Sequence, residues 1–266
     1  MVQMDLELKG QVVLVTGAGS GIGQAIGLAF AAEGCAVAVN DLTLERCDET
    51  LELLRRTKAT AVAAPFDITR LEDVQTGIAD VQARLGPVDI LVNNAAVMLN
   101  NVVFVESRPA DCEREIAVSL FGTMNCTRAV LKGMAERKHG RIVNIVSDAA
   151  RVGQEKEVAY SSAKGGVISF TKSLAREVGR DGITVNAVSP AATDTPLRRE
   201  VLRRLEAKLG AEGVATREEK VRRAYPLRKI GRPEDTADLV TFLASARAGH
   251  ITGQICSVNG GFAMPG

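Results

Sequence analysis

Residues 12–23 read VVLVTGAGSGIG, and this stretch decides the fold of the chain. Residues 12–16 are an apolar, largely β-branched run, which predicts a buried strand. Residues 22–33 have the apolar spacing of a helix, so the glycines at 17, 19, 21 and 23 lie between a strand and a helix. Such a turn lets the backbone approach a pyrophosphate, which then binds at the helix N-terminus. An ordinary tight turn is the alternative, but the strand–turn–helix context favours a dinucleotide site.

The alternation of short apolar runs and longer amphipathic segments continues along the chain. Predicted strands cover residues 12–16, 36–40, 60–66, 89–92, 141–146, 183–188 and 255–258, and predicted helices cover 22–33, 44–56, 71–85, 109–137, 158–178 and 233–244. Apolar strands separated by helices indicate a parallel sheet covered on both faces, which right-handed crossovers make an α/β, doubly wound sheet. No linker divides the chain. We therefore expect one domain over residues 1–266, with a charged helical insertion at 196–231.

Composition excludes several classes of protein. The chain has 266 residues, 46% of them hydrophobic, and a net charge of +1, so no overall field favours nucleic acid or a membrane as partner. No apolar run reaches membrane-spanning length, and residues 1–10 lack the apolar core of a secretory signal. The five cysteines are scattered and the two histidines isolated, which is not the pattern of a metal site. We expect a cytoplasmic protein with reduced thiols and no bound metal.

Asp41 follows the second predicted strand, where a carboxylate can accept hydrogen bonds from the ribose hydroxyls of an adenosine. The same charge repels a 2′-phosphate, and Leu42 rather than a basic residue comes next. The expected cofactor is therefore NAD(H) rather than NADP(H). The alternative is that Asp41 caps the helix predicted from residue 44.

Tyr160 and Lys164 lie four residues apart in a predicted helix, which places their Cβ atoms about 6 Å apart on one face. A cation at that range favours the phenolate, so we expect the pKa of Tyr160 to be lowered. Such a tyrosine can act as general base toward a hydroxyl proton. Ser147, at the end of a strand, adds a hydroxyl that can orient a substrate oxygen. Each residue alone is common, and only the combination indicates catalysis.

The sequence resembles the short-chain dehydrogenase/reductase family across essentially the whole chain, because the family's motifs occur in it in the family's order. The matching positions are residues 16–23 (TGAGSGIG), Asp67, 93–96 (NNAA), Ser147, 160–164 (YSSAK), Asn186 and 251–254 (ITGQ). The resemblance implies a Rossmann-type sheet of seven strands with a substrate lid at residues 196–231. It also implies hydride transfer between a nicotinamide dinucleotide and a small-molecule secondary alcohol or ketone.

The resemblance implies roles for individual residues. Tyr160 would be the acid/base, Ser147 would bind the substrate oxygen, and Lys164 would hold the nicotinamide ribose. Asp67 and Ile68 would meet the adenine. The residues implied to line the cofactor groove are Gly17, Ser20, Gly21, Ile22, Gly23, Asp41, Asp67, Ile68, Asn93, Ala95, Tyr160, Lys164, Pro190, Thr193 and Thr195.

Three positions depart from the family pattern. Ala96 and Ala191 stand where the family usually has glycine, and we expect these small replacements to change the chemistry little. Ser119 stands where the family has its fourth catalytic residue, an asparagine that supports a water-linked proton relay to the lysine. We expect Ser119 to take that place, but its side chain is shorter, so the sequence does not decide whether the relay operates.

The insertion gives the one clue to the substrate. Residues 196–232 hold twelve lysines and arginines against five acidic residues, an excess of seven positive charges that leaves −6 on the rest of the chain. A basic lid attracts an anionic substrate or carrier such as an acyl-CoA. The alternative is a solvated helical surface with i,i+4 ion pairs. Residues 147–153 (SDAARVG) and 193–195 (TDT) also resemble the NAD-dependent 2-hydroxycyclohexanecarboxyl-CoA dehydrogenases.

Two other functions stay open. A 3-oxoacyl-thioester reductase shares the fold and the catalytic residues, but its acyl-carrier-protein-dependent form usually uses NADPH. A catalytically silent dinucleotide-binding or scaffold protein is a different class, against which the retained Ser147, Tyr160 and Lys164 argue. By resemblance, the helices predicted at 109–137 and 158–178 and the segment 253–261 form the faces of a homotetramer with 222 symmetry.

Overall fold

A computed structural model describes residues 5–265, which build a seven-stranded parallel sheet. The strands are β1 (Val12–Val15), β2 (Ala36–Val39), β3 (Ala61–Ala63), β4 (Ile90–Asn93), β5 (Gly140–Ile145), β6 (Ile183–Pro190) and β7 (Ile255–Val258). Their order across the sheet is β3-β2-β1-β4-β5-β6-β7. Strands β1 to β3 extend to one side of the sheet and β4 to β7 extend to the other. The carboxyl ends of the adjacent strands β1 and β4 therefore border the crevice in which such sheets bind ligands. The predicted α/β, doubly wound fold is confirmed.

Helices cover both faces of this sheet. They are α1 (Gly21–Ala32), α2 (Leu44–Arg56), α3 (Leu71–Leu85), α4 (Pro109–Ile116), α5 (Gly122–Arg137), α6 (Ala149–Val152), α7 (Val158–Val178), α8 (Pro196–Ala224) and α9 (Pro233–Ala244). The helices predicted at 158–178 and 233–244 have the same limits in the structure, whereas the short α6 was not predicted. Within residues 5–265, no helix is both long enough and apolar enough to cross a membrane.

Side chains alternate along β1 and divide the core into two layers. Val13 and Val15 pack with Ile26 and Phe30 of α1 on the face that α9 also covers. Leu14 points to the opposite face, which α3, α5 and α7 cover. All three strand side chains are fully buried. The strand therefore has apolar residues on both faces, as a central parallel strand requires.

The helix predicted at residues 109–137 is not a continuous α-helix. A π turn at Ala117–Phe121 separates α4 from α5. The Thr123 hydroxyl donates to the carbonyl of Ser119 at 2.9 Å, so a side chain satisfies an acceptor within the widened turn. Single π turns within helices are frequent at functional sites, and this one holds the residue that replaces the family's asparagine.

The predicted lid is largely α8, which bends at Gly210, where φ is 71° and ψ is 168°. Thr195 caps its N-terminus by accepting a hydrogen bond from the Arg198 backbone N–H at 3.2 Å. Across the bend, Arg198 donates two hydrogen bonds to the Glu218 carboxylate at 2.7 and 2.8 Å. These side chains are only 18% and 15% exposed, so the pair joins the two halves of the lid helix.

Candidate active site and dinucleotide groove

The turn after β1 has the conformation that a close approach to a ligand requires. Gly17 and Gly21 have φ of +61° and +59°, in the left-handed region that favours glycine. A Cβ on Gly17 would lie 2.8 Å from the Cα of Ala95, and a Cβ on Gly23 would lie 2.2 Å from the carbonyl oxygen of Gly17. Larger residues therefore have no room here, and the backbone itself forms the surface of the groove.

Helix α1 opens directly onto this groove. Ser20 stands at its N-cap in extended backbone, but its side chain makes no capping hydrogen bond. Backbone N–H groups at the first turn of a helix attract anions such as a pyrophosphate. Gly21, Ile22 and Gly23 supply that turn, and a Cβ on Gly21 would lie 3.4 Å from the Thr195 side chain. The start of the lid therefore borders the predicted phosphate site, as expected for Thr195.

Two polar side chains tie the glycine turn to the end of β4. The Thr16 hydroxyl accepts hydrogen bonds from the backbone N–H groups of Asn94 at 3.0 Å and Ala95 at 3.1 Å. The Asn94 amide donates to the carbonyls of Thr16 at 2.9 Å and Gly17 at 3.0 Å. These hydrogen bonds tie the turn to the segment that follows β4.

Asp41 lies just beyond β2, and its carboxylate faces the glycine turn. It accepts a hydrogen bond from the Gly19 N–H at 3.3 Å and one from the Leu42 N–H at 2.8 Å. Thr43, not Asp41, occupies the N-cap of α2, so the capping alternative is not what the structure contains.

A basic residue lies near Asp41 in space, although Leu42 follows it in the sequence. The Arg46 guanidinium lies 3.6 Å from the Asp41 carboxylate. Helix α2 begins at Leu44, and its first turn brings this arginine back over the end of β2. The Arg46 side chain is 65% exposed, so the ion pair is weak and the guanidinium can move.

Asp67 and Ile68, expected at the adenine, and Asn93, expected along the cofactor groove, differ in the burial of their side chains. Asp67 is partly buried, and hydrogen bonds from Thr69 help to lower the pKa of its carboxyl against the opposing effect of burial. Ile68 is buried against α5, where a Cβ on Gly122 would lie 2.5 Å from its Cδ1 atom. The Asn93 side chain is also buried and donates to Asn144 at 2.9 Å. The side chains of Ile68 and Asn93 are therefore both occupied within the protein.

Ser147 and Tyr160 lie together beyond the carboxyl end of β5. Burial raises the pKa of Tyr160 to about 12; the Ser147 hydroxyl opposes this shift as a hydrogen-bond partner, and Glu157 and Glu115 add to it. The predicted lowering of the Tyr160 pKa is therefore wrong, because burial and the two carboxylates outweigh the hydrogen bond with Ser147. In this structure the phenol is protonated at neutral pH.

Lys164 is only 2% exposed and is directed to the strand beneath it. Its ammonium donates to the Ile145 carbonyl at 2.6 Å and lies 6.0 Å from the centroid of the Tyr160 ring. Burial lowers the pKa of Lys164 to about 8, which leaves the group largely protonated at neutral pH. The predicted i,i+4 neighbours do lie on one face, but the lysine bonds to backbone rather than to the phenol.

The nicotinamide side of the groove is framed by the end of β6 and the segment before the lid. Pro190 ends β6 and is fully buried. Thr193 is 8% exposed, donates its hydroxyl to the Ala191 carbonyl at 3.0 Å, and pairs with Gly231 in a short parallel bridge. Ala192 donates its N–H to the Tyr225 hydroxyl at 3.0 Å. The segment is therefore fastened at both ends, and Ala191 fits without a conformation that needs glycine.

Comparison with known proteins agrees with this geometry. The model of the family described as short chain dehydrogenase matches residues 11–206. The chain belongs to this family. Its members include oxidoreductases that interconvert secondary alcohols and ketones with a nicotinamide dinucleotide, and that is the chemistry of this enzyme.

Two relatives are similar over almost the whole enzyme. The (2S)-[(R)-hydroxy(phenyl)methyl]succinyl-CoA dehydrogenase subunit BbsD of Thauera aromatica is 37% identical over 254 residues, which cover 96% of this chain and 97% of the relative. Acetoacetyl-CoA reductase of Shinella zoogloeoides is 38% identical over 251 residues, 94% of this chain and 98% of the relative. The crystal structure of levodione reductase superposes with a TM-score of 0.89 at 27% identity, over 95% of this chain and 97% of that one.

Sequence reasoning missed three side chains that shape the enzyme's site. Asn94 was part of a quoted motif, but its two hydrogen bonds to the glycine turn join segments far apart in the chain. Arg46 was missed because only the residue next to Asp41 was considered, although the first turn of a following helix also faces it. Glu115 was missed altogether, and its one signal was a carboxylate four residues before Ser119 in the same predicted helix.

Replacing Tyr160 with phenylalanine tests its assignment as the acid/base. Tyr160→Phe removes the proton-carrying oxygen but keeps the ring, so turnover should fall by at least about 10²- to 10⁴-fold while NADH binding is retained. Steady-state rates and NADH fluorescence titration measure the two effects. Ser162→Ala is the matched control, because it removes an exposed hydroxyl from the same helix; substantial activity in Tyr160→Phe would remove the phenol from its role.

Proposed function

We propose that the enzyme oxidises a secondary alcohol carried on a CoA thioester, with NAD as the cofactor. The observation that carries the cofactor choice is the carboxylate of Asp41, held at the groove by the Gly19 N–H at 3.3 Å. In that position a carboxylate accepts hydrogen bonds from the two ribose hydroxyls and repels a 2′-phosphate. NAD pools in cells are commonly oxidised, which favours alcohol oxidation.

The residues around the groove fit a dinucleotide. The first turn of α1 would hold the pyrophosphate, Asp41 the adenosine ribose, and Asp67 the adenine. Lys164 would hold the nicotinamide ribose, with Pro190, Thr193 and Thr195 along the nicotinamide. NAD supplies the hydride acceptor when it is bound.

The protein's own residues then supply orientation and the proton acceptor. Ser147 donates a hydrogen bond to the substrate oxygen, and the phenolate form of Tyr160 takes the hydroxyl proton as the C–H bond gives up its hydride and the C=O bond forms. With a pKa of about 12, Tyr160 provides little of that phenolate at neutral pH. The Lys164 cation, buried 6.0 Å from the ring, supplies the positive charge that favours phenolate during the transfer.

A CoA thioester is supported by the lid and by the two relatives whose names include CoA substrates. Most lid arginines are already paired with carboxylates, as the solvated-surface alternative expects. Among residues 5–265, the lid cations without a carboxylate within 4.0 Å are Lys208, Arg217, Lys220, Arg228 and Lys229. Arg222, Arg223 and Arg228 also line an open cavity of about 420 Å³ together with Glu219, which pairs with the first two and leaves the Arg228 guanidinium to meet phosphate oxygens.

The second candidate is a 3-oxoacyl-thioester reductase, which runs the same chemistry in reverse. Two observations favour it. The Arg46 guanidinium beside Asp41 offers a partner for a 2′-phosphate and so admits NADP(H). The phenol of Tyr160 is protonated at neutral pH, which is the form that donates a proton to a ketone oxygen.

Assembly and location are part of the same proposal. We expect a homotetramer with 222 symmetry in which α4, α5 and α7 form one face and the segment around residues 253–261 another. Phe121, the last residue of the π turn before α5, is 54% exposed in one chain and would be covered on that face. All five cysteines are free, and burial raises the pKa of Cys126 to about 12, which suits a protein of the reducing cytoplasm.

Initial rates with NAD and NADP test the proposed reaction. Matched secondary alcohols are offered as free acids and as CoA thioesters, in both reaction directions. The proposal expects NAD-dependent oxidation, with the thioesters preferred by at least about tenfold in kcat/KM, a difference of about 1.4 kcal/mol. Equal rates for free acids and thioesters would make the lid charge a surface feature; a preference for NADPH and ketones would establish the reductase instead.

The cofactor preference depends on two neighbouring charges, which can be removed one at a time. Asp41→Ala should shift the ratio of kcat/KM for NADP to that for NAD upward by about tenfold, because the repulsion is lost and Arg46 remains. Arg46→Ala should shift the same ratio downward. If neither variant changes the ratio, Asp41 serves only to fix Gly19 and the start of α2.

A further inference from the structure

Two buried side chains on one helical stretch of the active site have a polar atom without a hydrogen-bond partner. Glu115 and Ser119 are both 0% exposed. Within residues 5–265, the Oε2 atom of Glu115 and the hydroxyl of Ser119 make no hydrogen bond. The two residues are four positions apart, from the end of α4 into the π turn, and so project from nearly the same face. Buried polar atoms left unpaired in a native protein call for an unseen partner, most simply a water.

The other oxygen of Glu115 fixes the segment that follows β4. Its Oε1 atom accepts hydrogen bonds from the backbone N–H groups of Leu99 at 2.6 Å and Asn100 at 2.8 Å. Asn100 is itself 8% exposed, so this anchor is within the protein. The anchored segment continues directly from Asn94 and Ala95, which border the glycine turn. One buried carboxylate therefore links the wall of the groove to the helix that carries Ser119.

The charge of Glu115 also acts on the catalytic helix. Helix α4 packs against α7, and the Glu115 carboxylate is one of two that raise the pKa of Tyr160. Around Tyr160, the ionisable groups are Glu115 from α4, Glu157 before α7 and Lys164 within α7. The π turn at Ala117–Phe121 carries no ionisable side chain. Arg151 of α6 is engaged elsewhere, since it donates to the Ser257 hydroxyl at 2.5 Å.

We infer that Glu115 is a positioning residue of the active site, whose second carboxylate oxygen shares one bound water with the Ser119 hydroxyl on the helix packed against Tyr160. The water has a carboxylate acceptor on one side and a hydroxyl on the other, which meets the need of a buried water for at least two polar partners. Glu115 and Ser119 thereby hold together a water that a longer side chain at position 119 would hold alone. The inference rests on the proposed role of Tyr160 as the acid/base.

Titration of the two tyrosines tests the charge of Glu115 without any substrate. Tyr160 and Tyr225 are the only tyrosines in the chain, so ring-labelled protein gives two NMR signals, and Tyr160→Phe assigns them. Glu115→Gln keeps the size of the side chain and an oxygen for the two N–H groups, but removes the negative charge. The Tyr160 signal should titrate at a measurably lower pH, while that of Tyr225 stays in place.

Control variants separate charge from packing. Glu115→Asp keeps the charge and should leave the Tyr160 titration near its original pH, even if the anchored segment loosens. Glu113→Gln changes an exposed carboxylate on the same helix and should change nothing. An unmoved Tyr160 signal in folded Glu115→Gln would overturn the inference, and so would an equal shift in Glu113→Gln. If Glu115→Gln does not fold, the aspartate variant combined with the water test below decides.

The shared water is tested by a double-mutant cycle. Ser119→Ala and Glu115→Asp should each slow turnover several-fold, and the double variant should be no slower than the slower single variant, because both lose the same water. A high-resolution crystal structure should place that water within hydrogen-bond distance of both atoms. Additive losses, or an empty site in well-ordered density, would contradict the inference. If the unmodified enzyme shows no dehydrogenase activity, the proposed function is contradicted, but the result of the tyrosine titration is unaffected.

Discussion

The rest of the site depends on the hydrogen bonds that join the end of β1 to the end of β4. In a doubly wound sheet these ends border the crevice, because the chain reverses direction across the sheet between β3 and β4. The Thr16 hydroxyl accepts hydrogen bonds from two backbone N–H groups of the opposite segment. The Asn94 amide donates two hydrogen bonds to carbonyls of the glycine turn. This exchange holds a backbone with positive φ in a single shape. A preformed turn does not have to be ordered when a ligand binds, which lowers the entropic cost of binding.

Burial, rather than pairing of charges, sets the chemistry of the catalytic residues. Burial moves the pKa values of Tyr160 and Lys164 apart, since it raises that of the phenol to about 12 and lowers that of the ammonium to about 8. Glu115 and Glu157 add negative charge on the side of the phenol. The site therefore stores a proton on Tyr160 at rest, and the surrounding charges decide how easily it leaves.

The fold could be predicted from the sequence because its causes are local. Apolar runs of four to six residues separated by amphipathic helices leave few alternatives to a parallel sheet, and the limits of α7 and α9 follow from helical spacing and from Gly179 and Pro233. The π turn at Ala117–Phe121 could not be predicted, since it depends on Thr123 and on how α5 packs over Ile68. Residue types at fixed spacing likewise identified Ser147, Tyr160 and Lys164. The direction of the Tyr160 pKa shift was missed because it depends on burial and on Glu115, which only the assembled helices bring near.

Transfer of deuterium is the most direct test of the account as a whole. Secondary alcohols deuterated at the carbinol carbon, as free acids and CoA thioesters, are incubated with the enzyme and NAD, and the recovered nicotinamide is examined by mass spectrometry. The account predicts that deuterium appears in the reduced cofactor and that a ketone forms in equal amount. Tight binding of NAD without transfer of deuterium from any of these alcohols, in an enzyme that also fails to reduce the matching ketones, would contradict it and leave a dinucleotide-binding protein without catalysis.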